Sequence, residues 1–288
     1  MRAWCACRPP GTRHRLDDVP LPRLLRAVVP AGASLGGSAA AALVLASALV
    51  QLPEIPARRR PQAPPGEAER REFRFTRAVY GGAYDGYFRR SWATDYPKAD
   101  RQFMIGVRRL LSHLDASEYE NPIRLDDPEL HRFPFLYAVE VGQMSLSEPE
   151  VEGLRRYLLA GGFLVVDDFW GSYEWANFES EIRRVLPGCR IVDLPPDHPL
   201  FSAFYDVKQF LQVPNVGNAM MGRTSERDGY TPLYRGISDD QGRLMVAINA
   251  NTDLGDAWEW AERPEYPLKY STFAFQMGVN FIVYGMSH

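Results

Sequence analysis

The chain reads as an α/β protein with a mostly parallel sheet and helices on both sides. Two observations carry that reading. Short continuous apolar runs, such as residues 135–141 and 163–166, have the composition of strands buried on both faces. Between such runs lie amphipathic stretches with apolar residues at helical spacing, so strands and helices alternate as in βαβ units.

Along the chain, residues 73–80 alternate apolar and polar side chains and predict a first strand, broken by Gly81-Gly82. Residues 99–114 place Phe103, Val107, Leu110, Leu111 and Leu114 on one helix face. The strand at 135–141 contains a single acid, Glu140. Ser147-Glu148-Pro149-Glu150 opens the next helix, with Ser147 as cap, Pro149 in the first turn and acids at the positive end. That helix stops at Gly161-Gly162, and the strand at 163–166 ends in Asp167-Asp168. A helix at 175–186, a strand at 190–194, two strands around the 239–242 turn and an apolar helix at 272–284 complete the pattern.

Domain organisation follows from composition. Residues 27–53 carry no charge and follow Arg23 and Arg26, with the strongest apolar run at 39–50. This predicts a signal peptide or signal anchor over 1–52, with Ala46 and Ala48 forming an A-x-A cleavage pattern and no lipobox cysteine behind them. The expected location is therefore exported, either periplasmic or anchored to the inner membrane, with membrane association only if the segment stays uncleaved. Residues 53–71, rich in Pro, Arg, Ala and Glu, read as a disordered linker, and 72–288 as a single α/β domain.

The formal charge of −3 conceals an acidic body: beyond residue 52 there are 27 basic and 34 acidic residues. That balance argues against nucleic acid as a partner. Cys5 and Cys7 precede the apolar run, and Cys189, in a Pro187-Gly188 turn, is the one cysteine in the body. The body therefore offers neither a disulfide framework nor a cysteine zinc site.

Ligands of parallel α/β sheets bind at strand carboxyl ends, and the candidate residues are those expected there. Trp92, Asp95 and Tyr96 lie in the loop after the first strand, where Asp95 either orders the turn or faces a ligand. Asp167 and Asp168 end a buried strand ahead of Trp170; side chains alternate along a strand, so one of the two faces the crevice. His198, between prolines, is either a turn residue or a crevice residue. The stretch 249–260 brings Asn251, Asp253, Asp256 and Trp258, oxygen donors suited to a hard divalent cation, although the offsets are not those of an EF-hand. No cofactor is identified, with a divalent cation as the open option. No G-x-S-x-G, P-loop, H-E-x-x-H or strand-linked G-x-G-x-x-G is present.

Several of these pieces together resemble the bacterial domain-of-unknown-function family 4159. They are Phe75-Thr76-Arg77 with Tyr80, the Trp92-to-Asp100 stretch, and Gly161-Gly162-Phe163-Leu164 running into Asp167-Asp168-Phe169-Trp170-Gly171. Asp197-His198-Pro199, the Asp253-to-Trp258 stretch and Gly278-Val279-Asn280-Phe281 extend the resemblance over about residues 72–287. It implies a three-layer, flavodoxin-like sandwich of the class I glutamine amidotransferase-like type, often behind an export segment. It implies no known reaction and no assigned catalytic residues. The amidotransferase nucleophile elbow, G-x-C-x-G, is missing, so whether the chain is an enzyme stays open.

Two functions fit. One is a non-catalytic binding or assembly component of the envelope, with envelope proteins or a carbohydrate as partner and a crevice formed by Asp95, Asp168, His198, Asp253 and Asp256. The other is a carbohydrate- or envelope-polymer-directed hydrolase using Asp168 with Asp253 or Asp256, its tryptophans stacking on sugar rings.

Overall fold

The computed structural model describes residues 73–81 and 91–288. The expected signal segment and linker lie outside the described residues. The elements, in chain order, are β1 (Thr76–Val79), α1 (Lys98–Leu110), β2 (Asn121–Arg124), β3 (Phe135–Val139), α2 (Glu148–Leu159), β4 (Phe163–Asp167) and α3 (Gly171–Val185). They continue with β5 (Ile191–Asp193), α4 (Val216–Met220), β6 (Leu233–Ser238), β7 (Leu244–Ala250), α5 (Leu254–Glu259) and α6 (Leu268–Ser287).

These strands form one seven-stranded sheet in the order β2-β1-β3-β4-β7-β6-β5. β6 alone runs antiparallel to its neighbours, which makes the sheet mostly parallel. Alternation along the central strands builds two cores. Phe135, Tyr137, Val139, Phe163 and Val165 face α1, α5 and α6; Leu136, Ala138, Leu164 and Val166 face α2 and α3. The result is a three-layer sandwich of the flavodoxin-like type. After β1 the chain moves outward to β2 and then returns to β3 on β1's other side, so the carboxyl ends of β1 and β3 form the topological switch point.

Local chemistry explains the helix boundaries. The Glu150 carboxylate reaches back to the Ser147 N–H at 2.9 Å, closing a capping box at the start of α2. On the other face α1 and α6 cross closely because both supply glycine: a Cβ on Gly106 would sit 2.1 Å from the Phe275 ring, and one on Gly278 2.5 Å from that of Phe103. Phe103 in turn stacks on Trp258 with centroids 4.2 Å apart, an arrangement that adds about 0.5–1.5 kcal/mol to the burial of the rings.

Several boundaries differ from expectation. The first strand is shorter, with Phe73 making only an isolated bridge to Ala116. The helix expected at 175–186 begins at Gly171, and the last helix extends to Leu268–Ser287. β2, α4 and α5 were not expected at all. Among the described residues no helix is long and apolar enough to cross a membrane.

Candidate acidic site at the strand ends

The strands around the switch point end in an unusual way. Glu140, Asp168 and Asn251, immediately after β3, β4 and β7, have φ of 53°, 53° and 58°, and Asp95 in the loop after β1 has φ 61°. Left-handed backbone is uncommon outside glycine, and Asp and Asn tolerate it better than other residues. The turns bond to one another: Glu140 N–H donates to the Asp168 carbonyl at 3.0 Å, Asp168 N–H to Thr252 O at 3.2 Å, and Asn251 N–H to Phe169 O at 2.9 Å. A rigid backbone platform thus carries the acidic side chains.

The two adjacent aspartates have different jobs. Asp167 continues the alternation of β4 onto the α5 face, where its Oδ2 accepts from the Leu254 and Gly255 N–H groups (2.9 and 3.1 Å) and from the Tyr137 hydroxyl (2.8 Å). It is wholly buried and joins β4 to the start of α5; burial pushes its carboxyl up to about 7 against those donors. Asp168, in left-handed backbone, accepts from Trp170 Nε1 at 2.9 Å and has the acids Glu140, Asp95 and Asp167 as charged neighbours.

Asp95 is placed by Arg77 of β1. The buried guanidinium donates from Nε to Asp100 Oδ1 and Oδ2 (3.0 and 3.1 Å) and from Nη1 to the carbonyls of Trp92 and Thr94 (3.3 and 3.0 Å). It therefore fixes the 91–95 backbone while its charge is directed at Asp100. Asp253 caps α5, its Oδ1 accepting from Asp256 N–H at 2.8 Å. Asp256 accepts from Trp260 Nε1 at 2.9 Å and from Val216 N–H.

These acids converge. Carboxylate oxygens of Asp95, Asp168 and Asp253 lie within 4.8 Å of one another, and so do those of Asp95, Asp256 and Glu259. Two full charges at such a separation repel by roughly 3 kcal/mol even at an effective dielectric of 20. Among the described residues no Lys or Arg forms an ion pair with Asp95, Asp168, Asp253 or Asp256. Burial first, and like charges next, push the carboxyls of Asp95, Asp168 and Asp253 well above the ordinary range. Glu259 rises to about 7 for the same two reasons. The Oδ2 of Asp95 is buried with no hydrogen-bond partner, as is the Oδ1 of Asp167.

Of the residues singled out from sequence, Asp95, Asp168, Asp253 and Asp256 are brought together. Asp167 lies beside them with its Oδ2 committed to α5. Asn251 is a brace, its Oδ1 accepting from Gly171 N–H at 2.8 Å and its Nδ2 donating to Thr231 O at 2.7 Å. Trp92 and Tyr96 are half-buried, with ring centroids 5.6 Å apart. Trp170 and Trp258 are only 2% and 1% exposed, so their faces are not available to a sugar ring.

His198 is not at this end of the sheet. Its ring caps the short turn at Pro199–Ser202 by accepting from Leu200 N–H and packs 5.9 Å from Tyr284, which in turn lies 5.7 Å from Phe163. Phe163 starts β4, so His198 sits near the opposite, amino end of that strand.

Glu140 and Glu259 were missed as members of the acidic group. Burial, followed by Glu174, pushes the Glu140 carboxyl up to about 7. Its one visible signal was its position as the sole acid at the end of an apolar run.

The family described as a domain of unknown function (DUF4159) matches residues 74–286, a span that includes every described strand. No curated protein matches the chain. By that match, this chain belongs to the DUF4159 family of uncharacterised domains.

Proposed function

We propose that the chain is a binding component of the cell envelope whose strand-end crevice takes a hard divalent cation between Asp95, Asp168 and Asp253. The observation that carries this reading is the meeting of three carboxylates within 4.8 Å, none of them in an ion pair with a Lys or Arg among the described residues. A calcium ion held at about 2.3–2.6 Å from each oxygen spans ligand pairs up to about 5 Å apart, which matches that spacing. The all-oxygen donor set suits Ca²⁺, Mg²⁺ or Mn²⁺ rather than a soft metal. The envelope location rests on the uncharged stretch at 27–53 behind Arg23 and Arg26.

The buried Trp170 and Trp258 speak against a polymer hydrolase that stacks sugar on those rings, and this favours the binding role over the hydrolytic one.

A thermal-shift series tests the proposal on the full chain with chelator, Ca²⁺, Mg²⁺ and Mn²⁺. A cation that binds only the folded state raises the midpoint in proportion to the logarithm of its concentration. The expected result is such a concentration-dependent rise with at least one cation, abolished in Asp168→Asn and Asp253→Asn. Identical midpoints with chelator and with each cation would refute the cation role.

A further inference from the structure

We infer that the crevice holds not one but two cation positions, adjacent and bridged by Asp95, the second completed by Asp256 and Glu259. This inference rests on the cation reading above and extends it. The second set of carboxylates meets the same spacing as the first, within 4.8 Å, and Asp95 is common to both. A carboxylate has two oxygens and about four lone-pair directions, so one side chain can serve two ions.

The position of the bridging oxygen supports this arrangement. Asp95 Oδ2 is buried, makes no hydrogen bond, and lies 3.0 Å from the point where a Cβ of residue 255 would stand. The same point is 3.0 Å from the Tyr137 hydroxyl oxygen and 3.7 Å from Asp253 Oδ1, so glycine at 255 is what lets Asp95 Oδ2 approach α5 this closely. The unpaired oxygen is therefore turned toward α5, which carries Asp256 and Glu259 and is capped by Asp253.

Asp256 remains able to ligate: its two oxygens accept from Trp260 and Val216, which fix the carboxylate while leaving lone pairs unused. Lys98, whose field reaches Glu259, is engaged with Glu262 at 3.0 Å and with the Trp260 ring at 3.6 Å. Two-cation oxygen sites hold their ions about 3.5–4 Å apart, a separation that one bridging carboxylate accommodates. Each ion would draw three carboxylates from the protein, leaving its remaining positions for water or an oxygen-bearing ligand shared by both.

The test is titration of the full chain with Mn²⁺ alone, followed by electron paramagnetic resonance. The expected result is two Mn²⁺ per chain with the spectrum of a spin-coupled pair, reduced by Glu259→Gln to one Mn²⁺ with an uncoupled six-line signal. One Mn²⁺ per wild-type chain with a six-line signal would overturn the inference and leave the single-cation proposal intact. Two coupled ions that persist in Glu259→Gln would overturn the assignment of the second position. No Mn²⁺ bound to the wild-type chain, with no response to Ca²⁺ or Mg²⁺ either, would remove both proposals together.

Discussion

Arg77 and Asp100, 23 residues apart, form a buried pair in which Arg77 Nε lies 3.0 Å from Asp100 Oδ1. The same guanidinium holds the carbonyls of Trp92 and Thr94, so one side chain links β1, α1 and the loop that presents Asp95. Replacing it strands a buried carboxylate, a change that typically costs about 3–5 kcal/mol. Arg77→Met is expected to lower stability by that order and to weaken cation binding at least tenfold, checked by urea denaturation and calorimetric titration. Arg77→Lys is expected to restore little, because an ammonium cannot reach Asp100 and two carbonyls with a planar fork.

The three aspartates of the first position offer a cleaner probe. Asparagine tolerates left-handed φ at 95 and 168, and it caps a helix as well as aspartate does at 253. Each Asp→Asn change therefore removes charge and keeps local geometry. In chelator near neutral pH, Asp168→Asn and Asp253→Asn are expected to melt several degrees above wild type, because repulsion is relieved. Both are expected to lose the rise that the cation produces in wild type. Differential scanning calorimetry with and without Ca²⁺ reads both effects.

Glu140 gives a pH dependence of defined sign. Its folded carboxyl, raised to about 7, keeps a proton that the unfolded chain releases near 4.5. Between those values the folded state binds more protons, so stability falls as pH rises through the window. Glu140→Gln imitates the neutral acid and is expected to flatten that slope. In chelator the variant should melt above wild type at pH 8, with the difference shrinking toward pH 5; parallel melting curves across the range would contradict this.

A control far from the acids separates folding from binding. Gly106→Ala pushes a methyl group into the Phe275 ring between α1 and α6, and overpacking of that kind costs about 1–3 kcal/mol. Its denaturation midpoint is expected to fall while the affinity for Ca²⁺ remains within twofold of wild type.

The sheet was legible because β3 and β4 are continuous apolar runs bounded by helices with ordinary start and stop signals. β2 was not, since Asn121-Pro122-Ile123-Arg124 is a short edge strand with one buried residue and no clear alternation. The gathering of acids could be anticipated from the rule that loops after parallel strands meet at one edge. The division of labour between Asp167 and Asp168 was foreseen only as one facing the crevice. Which one depends on the left-handed turn at 168 and on the start of α5, a contact 87 residues away in sequence. For His198 the turn reading holds, since its ring accepts from Leu200 N–H, while its place in the crevice does not: a turn before a 3-10 segment looks alike at either end of a sheet. Of the two readings open for Trp170 and Trp258, stacking platform or core cover, the structure shows the second: Trp258 packs on Phe103 and Trp170 uses its indole N–H to hold Asp168.

Equilibrium dialysis of the full chain against Ca²⁺ and Mn²⁺, beside Asp95→Asn, reads cation binding in the crevice most directly. Asp95 belongs to both proposed positions, so the wild-type chain is expected to bind at least one cation saturably and Asp95→Asn to lose that binding. No saturable binding of Ca²⁺ or Mn²⁺ by the wild type, or equal binding by a folded Asp95→Asn chain, would contradict it.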